Sequence, residues 1–454
     1  MCYIYAQLPI TCLNWGDAKI MGRVGLIGEN SIEYINILLD IWNNGDCAVL
    51  IDWRIPHQTA CEMMDEAGVE KCYIEKKIFN KKSLGVQTKI MFYTFERMSN
   101  SANLLPETLY AKFKENYSKS EAIIIYSSGT TGRSKGIILS HYAINTNADA
   151  IIDYMNPKKD DCIYIARSIS HSSTITGELL VALKTDMKLV VAPVIVPPRF
   201  VLRNIEKLGV TILCLNPALL SMYAEEFLNG SYNTSLLKVI YVSGSILSDK
   251  IYRLAHKAFN KIQIYNVYGL SETSPRVTAQ RKDCSKSNSV GKPIKNIKVM
   301  IVDEKGNELS QGEKGIVLIK SPSLFCGYVC GDDKLPLIRE GWYNSGDVGY
   351  FDKNEELHIV GRIDDVIIIE SHKIYPTEVE QVISSYPSII DCVVKLSACK
   401  GSLICEYTYK QDYENSIESE LRMWCLNKLI IHEIPKNFIE VVHVLRDQKG
   451  GLVR

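Results

Sequence analysis

The sequence has no surplus of either charge: 52 lysines and arginines face 52 aspartates and glutamates in 454 residues, for a formal net charge of +0. It also has no basic block. Both absences speak against nucleic acid or an anionic membrane surface as the main partner, because polyanion binders usually carry a basic excess or stripe. The most apolar run, Leu189 to Pro198, is too short to cross a bilayer and holds three prolines, so membrane insertion is not expected. Met1 to Trp15 contains Pro9 and is followed by its first basic residue only at Lys19, which lacks the charged start of a secretory signal. The 14 cysteines include no CxxC pair, and Cys326 and Cys330 have no histidine nearby to complete a zinc site. Such cysteines read as reduced, mostly buried thiols of a cytoplasmic protein.

What is present is an ordinary globular composition, 46% hydrophobic and 23% charged, in a chain long enough for two or three domains. Arg23 to Ile27 reads as a strand. Asn30 and Ser31 then cap a helix whose Ile32, Ile35, Leu38, Leu39 and Trp42 share a face, and Cys47 to Asp52 is a second strand. A helix from His57 to Ala67 stops at Gly68, and Lys71 to Ile74 starts a further strand. This βαβαβ alternation resumes from Glu121 to Ile195 and in the apolar runs 209–215, 237–242 and 262–266, which points to parallel sheets covered by helices. After Gly291 the pattern changes: Ile297 to Val302, Gly315 to Lys320 and Tyr343 to Asp352 read as antiparallel strands with turns such as Glu304-Lys305-Gly306-Asn307. Beyond Arg362 there is room for a small α+β unit, with a helix from Thr377 to Ser385 turning Val379 and Val382 inward. The expected division is therefore an α/β body with a β-rich subdomain, residues 1–361, and a small α+β domain, residues 362–454.

The strongest local signal is Tyr126-Ser127-Ser128-Gly129-Thr130-Thr131-Gly132-Arg133-Ser134-Lys135-Gly136 between two apolar runs. Its hydroxyls and backbone N–H groups can wrap phosphate oxygens while the lysine supplies a point charge. The same composition also suits a solvated turn. The GxxxxGK[ST] spacing fails and a strand follows, so this is not a Walker A loop. Further on, Asn266-Val267-Tyr268-Gly269-Leu270-Ser271-Glu272 offers an aromatic platform, a tight turn and a carboxylate, and Glu272 could hold a magnesium ion that bridges phosphates. Gly341 to Asp347 places a carboxylate after Gly346, where Asp347 could accept two ribose hydroxyls; a solvated surface charge is the alternative for Glu272, and a plain hairpin turn for Gly341 to Asp347.

With these segments in this order, the chain resembles the adenylate-forming superfamily of acyl-CoA synthetases, aryl-CoA ligases, luciferases and peptide-synthetase adenylation domains. The loop resembles the family's [ST]SG[ST]TGxPKG with Ser134 at the usual proline. Val242-Ser243-Gly244-Ser245 is similar to the adenine-contacting turn, Tyr268 to Glu272 to YGxTE, Asp347 to the aspartate of TGD, Gly361 to Asp365 to the segment joining the domains, and Ile374 to Glu380 to the element after it.

The resemblance implies that a carboxylic acid attacks the α-phosphate of ATP with Mg2+ to give an acyl-adenylate, which a thiol of coenzyme A or of carrier-bound phosphopantetheine then attacks. It assigns phosphate-side work to Thr130, Lys135, Ser271 and Glu272, with Ser127, Ser128, Gly129, Thr131 and Gly132 lining the phosphates. Gly244, Ser245, Asn266, Tyr268, Gly269 and Asp347 would hold the nucleoside, Arg362 would hold ribose or phosphate, and Asp364 would be the hinge. His171, in Ser170-His171-Ser172-Ser173, resembles the FH of acyl-CoA and aryl-CoA ligases and not the FD that anchors an α-amine, so a fatty or aryl acid is expected. A packed helix-cap or core histidine is the alternative for His171. No segment resembles a carrier serine motif, so any carrier would be a separate protein.

Two positions depart from the family. The family's C-terminal lysine, counted from Pro435-Lys436, falls on Gly451, with Lys449 two residues earlier in the glycine-rich end. Lys449 could substitute, because glycine neighbours absorb such an offset. A member impaired in adenylation, binding nucleotide or acyl-adenylate within a larger assembly, is the other reading. Ser371 stands where a glycine of the thiol-tunnel loop is common.

Overall fold

The computed structural model describes residues 22–445 except 83–87, 129–133, 285–288, 331–336, 339–340, 371, 398–400 and 411–416. Thr130, Thr131, Gly129, Gly132, Ser371, Lys449 and Gly451 therefore lie outside the described residues, as does the Ser128 side chain.

Two large sheets carry the body. In the first, the strands run in the order Gly327–Tyr328, Ser134–Ser140, Glu121–Ser128, Cys47–Asp52, Arg23–Gly28, Lys71–Glu75 and Met91–Phe95. The pairings from Glu121–Ser128 to Met91–Phe95 are parallel, while Ser134–Ser140 turns back antiparallel on Glu121–Ser128. A parallel sheet is covered on both faces, so its strands are continuously apolar. Ile123 and Ile125 enter the cluster shared with Leu38 and Ile175, while Ile124 enters the one around Met63 and Met64. Truncating such a residue to alanine costs about 2–5 kcal/mol.

The second sheet has the order Lys292–Pro293, Arg276–Ala279, Gln263–Gly269, Val239–Val242, Ile212–Leu215, Cys162–Ile165, Lys188–Val191 and Asn103–Leu104. Its centre is parallel. Arg276–Ala279 returns antiparallel on Gln263–Gly269. Helices between the strands start at side-chain caps: Ser140 accepts from Ala143 N–H, and Asn216 from Leu219 N–H. The third sheet is antiparallel, with Lys298–Val302, Gly315–Lys320, Trp342–Phe351 and Leu357–Arg362 in that pairing order.

After Arg362 a separate cluster forms around Val379, Ile383, Val394, Cys405 and Leu421, between helices Pro376–Ser384 and Glu418–Leu426 and the sheet Ile389–Leu396, Leu403–Tyr409, Asn437–Glu440. It meets the body through Lys314–Glu378 and Lys373–Glu304, both at 2.6 Å.

Two expectations need correction. Ser31 alone caps the first helix, Ile32–Asn43, by accepting from Tyr34 N–H. Asn30 instead donates to Arg167 O and accepts from Ile169 N–H, both at 2.8 Å, so a side chain suited to local capping serves a long-range contact. In Pro376–Ser384 the inward residues are Val379, Glu380 and Ile383, and Val382 is only half-buried. The helix begins one residue earlier than expected, at a proline suited to the first turn, and the Glu380 carboxylate earns burial by accepting from Val394 N–H at 2.8 Å.

Candidate active site

Ligands of open parallel sheets sit at the carboxyl ends of the strands, and the residues singled out by sequence gather there on the second sheet. The strand Gln263–Gly269 delivers Asn266, Tyr268 and Gly269, and a short 3₁₀ turn delivers Ser271 and Glu272. Gly269 is required by close approach, since a Cβ there would stand 1.7 Å from Pro275 O. Asn147 clamps the segment: its Nδ2 donates to Thr273 O, Arg276 O and Ser323 Oγ, and its Oδ1 accepts from Arg276 N–H.

Asp347 and Arg362 face each other as a cross-strand pair of the third sheet. Arg362 Nη1 donates to Asp347 Oδ1 at 3.0 Å and to Ser345 O at 2.8 Å, and the Tyr268 hydroxyl donates to Asp347 Oδ2 at 2.5 Å. Burial pushes the Asp347 carboxyl up, and Arg362 and Tyr268 oppose it. Gly346 has φ +71°, and a Cβ there would stand 2.6 Å from Arg362 Nη2.

Glu272 is half-buried near this pair, close enough to feel the charges of Arg362 and Asp347. Burial pushes its carboxyl up too. Its Oε1 accepts from the Tyr328 hydroxyl at 3.3 Å, and Lys135 Nζ lies 5.3 Å from the centre of the same ring. Tyr328 belongs to the edge strand beside Ser134–Ser140, so one ring joins the two sheets at the site. Lys135 is paired with Ser127 where Ser134–Ser140 runs antiparallel to Glu121–Ser128. A half-buried carboxylate with no ion pair among the described residues suits a hard divalent cation, so Glu272 fits the magnesium that accompanies a nucleotide.

Gly244 and Ser245 are exposed after the strand Val239–Val242, with Gly244 at φ +100°. Asp364 is exposed in the turn Ile363–Asp365 between the third sheet and the small unit. His171 precedes the short helix Ser172–Thr174, where its carbonyl, and not its side chain, caps the turn. Ser172 Oγ lies 3.5 Å from Ser271 Oγ, which brings the His171 segment to the Glu272 segment.

Comparison with known families decides membership. The AMP-binding enzyme family matches residues 17–329, more than half of the chain. The chain belongs to the AMP-binding enzyme family. These are adenylate-forming enzymes, and the relatives of this member agree. It is 28% identical over 443 residues to a 2-succinylbenzoate–CoA ligase of Bacillus cytotoxicus, covering 95% of this chain and 87% of that one. Its fold is shared with ATP-bound MatB of Rhodopseudomonas palustris, with a TM-score of 0.82 at 20% identity over 96% of this chain and 88% of that one. An O-succinylbenzoate coenzyme A synthetase of Bacillus subtilis, solved with ATP and magnesium, gives 0.81 at 19% identity over 96% and 89%.

Several side chains of this candidate site carried no sequence signal. Tyr328 meets Glu272 across 56 residues and Asn147 meets Arg276 across 129. Asp52 receives Ser170 Oγ–H at 3.2 Å and three Arg54 hydrogen bonds, from the backbone N–H at 2.9 Å, Nε at 2.8 Å and Nη2 at 2.7 Å. Burial works to raise its pKa, but Arg54, with His171 also contributing, brings it to about 2. The one clue was its position at the end of a strand parallel to Glu121–Ser128.

Proposed function

We propose that this enzyme activates a carboxylic acid with ATP to an acyl-adenylate and passes the acyl group to a thiol, with coenzyme A as the acceptor and 2-succinylbenzoate, named in its relatives, as the first acid to test. The observation that carries the reading is the meeting of Tyr268, Asp347 and Arg362 with Glu272, Tyr328 and Lys135 at one end of the second sheet.

In the first step an oxygen of the acid forms a bond to the α-phosphorus while the bond to pyrophosphate breaks and its electron pair leaves with pyrophosphate. The protein's task is alignment and charge stabilisation. Asp347 would accept the ribose hydroxyls while Tyr268 and Arg362 fix its two oxygens. Gly244 and Ser245 would flank the base. Lys135, with Ser127, Ser128 and the loop residues Gly129 to Gly132, would neutralise phosphate oxygens, and Ser271 would donate to them. Glu272 would hold magnesium, which supplies Lewis-acid stabilisation of the phosphates when bound. His171 would stand beside the acid. In the second step a thiolate forms a bond to the carbonyl carbon and AMP leaves. Residues 362–454 would form the moving unit, turning about exposed Asp364, as hinge residues at domain joints do. A separate carrier protein presenting phosphopantetheine is a second acceptor to test.

Lys449 is proposed to substitute for the family's C-terminal lysine, whose position falls on Gly451. Pyrophosphate exchange tests both levels. Wild-type enzyme exchanges with at least one carboxylic acid, and Lys449→Ala lowers the rate on the order of 10²- to 10³-fold. Unchanged exchange in the variant excludes that role for Lys449, and no exchange with any acid despite ATP binding overturns the enzyme reading. The non-catalytic alternative is not favoured, because the relatives that cover 95% of the chain are named as ligases.

A further inference from the structure

One half-buried ring touches both opposite charges of the phosphate side, and no role assigned above uses it. Lys135 Nζ lies 5.3 Å from the centre of the Tyr328 ring, and the Tyr328 hydroxyl donates to Glu272 Oε1 at 3.3 Å. Lys135 and Glu272 are themselves half-buried. The chain around Tyr328 grips the same two neighbours by their main chains. Phe325 N–H donates to Glu272 O, and Val329 N–H donates to the carbonyl of Gly136, the residue after Lys135, both at 2.8 Å. A Cβ on Gly136 would stand 2.6 Å from Val329 Cγ2, so the two strands are pressed together beside Lys135. Tyr328 faces Ile137 in this antiparallel pair, which makes Lys135 its diagonal neighbour, within reach of a long side chain.

The ring is also fixed from its other side. Phe325, 6% exposed, meets it edge-on with centroids 4.9 Å apart at 61°. Tyr343, 3% exposed, hydrogen-bonds Tyr328 and feels the Glu272 charge. A tyrosine hydroxyl can accept from one partner while it donates to another, so the Tyr343 contact leaves the bond to Glu272 intact. The two contacts of Tyr328 act differently on their charges. An ammonium over an aromatic face is attracted by the ring and keeps its full charge. A hydrogen bond donated to one carboxylate oxygen fixes how the group is turned, as the outer partners of metal-binding carboxylates do. A lysine and a glutamate brought directly together would instead neutralise one another.

We propose that Tyr328 is the positioning residue of the phosphate side: its ring face holds the Lys135 ammonium and its hydroxyl turns the Glu272 carboxylate, so that a magnesium nucleotide meets two separate charges. This rests on the reading of the chain as an ATP-using enzyme. Because ring and hydroxyl do different work, their losses are separable.

The test measures ATP binding to the full-length enzyme by calorimetry, in EDTA and across a magnesium series. Tyr328→Phe keeps the ring and drops the hydroxyl. It should leave the affinity for metal-free ATP within about 2-fold of wild type and raise the magnesium concentration for half-maximal binding by about 10-fold or more. Tyr328→Leu drops both, and should add a loss of about 2- to 5-fold in metal-free ATP affinity. Tyr328→Met, flexible enough to fill the same space, replaces it if Tyr328→Leu does not fold. An unchanged magnesium requirement in Tyr328→Phe, or equal affinity of the Phe and Leu variants for metal-free ATP, overturns the proposal. Equal weakening of metal-free and magnesium-bound ATP in every variant also overturns it, since a merely structural ring would give that result. Pyrophosphate exchange run alongside reports on the enzyme reading separately: no exchange with any acid while ATP binds sinks that reading, and the calorimetric comparison still decides on Tyr328. Absence of ATP binding to wild type overturns both.

Discussion

Two charge systems stand at the carboxyl ends of one sheet, and they differ in burial and in make-up. Around Asp347 stand two carboxylates, Asp347 and the half-buried Glu272, and one partly exposed guanidinium, Arg362, with Lys135 beside the ring of Tyr328, whose hydroxyl donates to Glu272. Around Glu178 two guanidiniums share one carboxylate. The carboxylates have a way out: burial raises the pKa of Glu272 and Asp347, and a proton or a cation can settle their charge. The arginines have no such way out. The first set is open enough to suit a magnesium nucleotide, whereas the second lies inside the body, with Arg276 3% and Arg167 8% exposed.

The largest expected effect on this contrast comes from Glu272→Gln. It keeps the shape and removes the charge, and should lower pyrophosphate exchange on the order of 10²- to 10³-fold while raising the magnesium concentration needed for half-maximal rate. A change within a few-fold would break the assignment of Glu272 to a cation. Asp347→Asn comes next. Losing one charged acceptor for the ribose should raise the KM for ATP about 10- to 100-fold and leave that for the acid nearly unchanged. If both KM values rise together, Asp347 does not act on the nucleotide alone.

The smallest effect sharpens the contrast from a third group. His141, 4% exposed against the edge of the Trp42 ring, is a buried base that can give up its charge, and burial lowers its pKa from 6.5 to about 4. Below pH 6.5 the unfolded chain takes the proton and the folded chain does not. Stability is therefore full above pH 6.5 and falls as pH drops from 6.5 toward 4, by about 1.4 kcal/mol per unit for this group. Melting temperatures at pH 7 and pH 5 should differ less in His141→Gln than in wild type. An equal difference would remove His141 from the pH response.

Much of the fold was legible because its causes are local. The strand Cys47–Asp52 and the helix Ile32–Asn43 announce themselves by periodicity and a serine cap, and the antiparallel strands after Gly291 by their turns. Within the candidate site, the segments proposed to meet a nucleotide are contiguous and chemically dense, so Tyr268 to Glu272 and Asp347 are legible from the residues alone. Asn30 and Val382 went astray for opposite reasons: one local preference was overridden by a contact 137 residues away, and one apolar face was rotated by packing that chose Ile383.

The sequence by itself determined the alternation of strands and helices, the family and the short motifs, because periodicity, capping and turn chemistry act over a few residues. Only the tertiary structure decided which charges are left over. Arg167, Glu178 and Arg276 are ordinary letters far apart in the chain, and their excess exists only after the sheet has brought them together and excluded water.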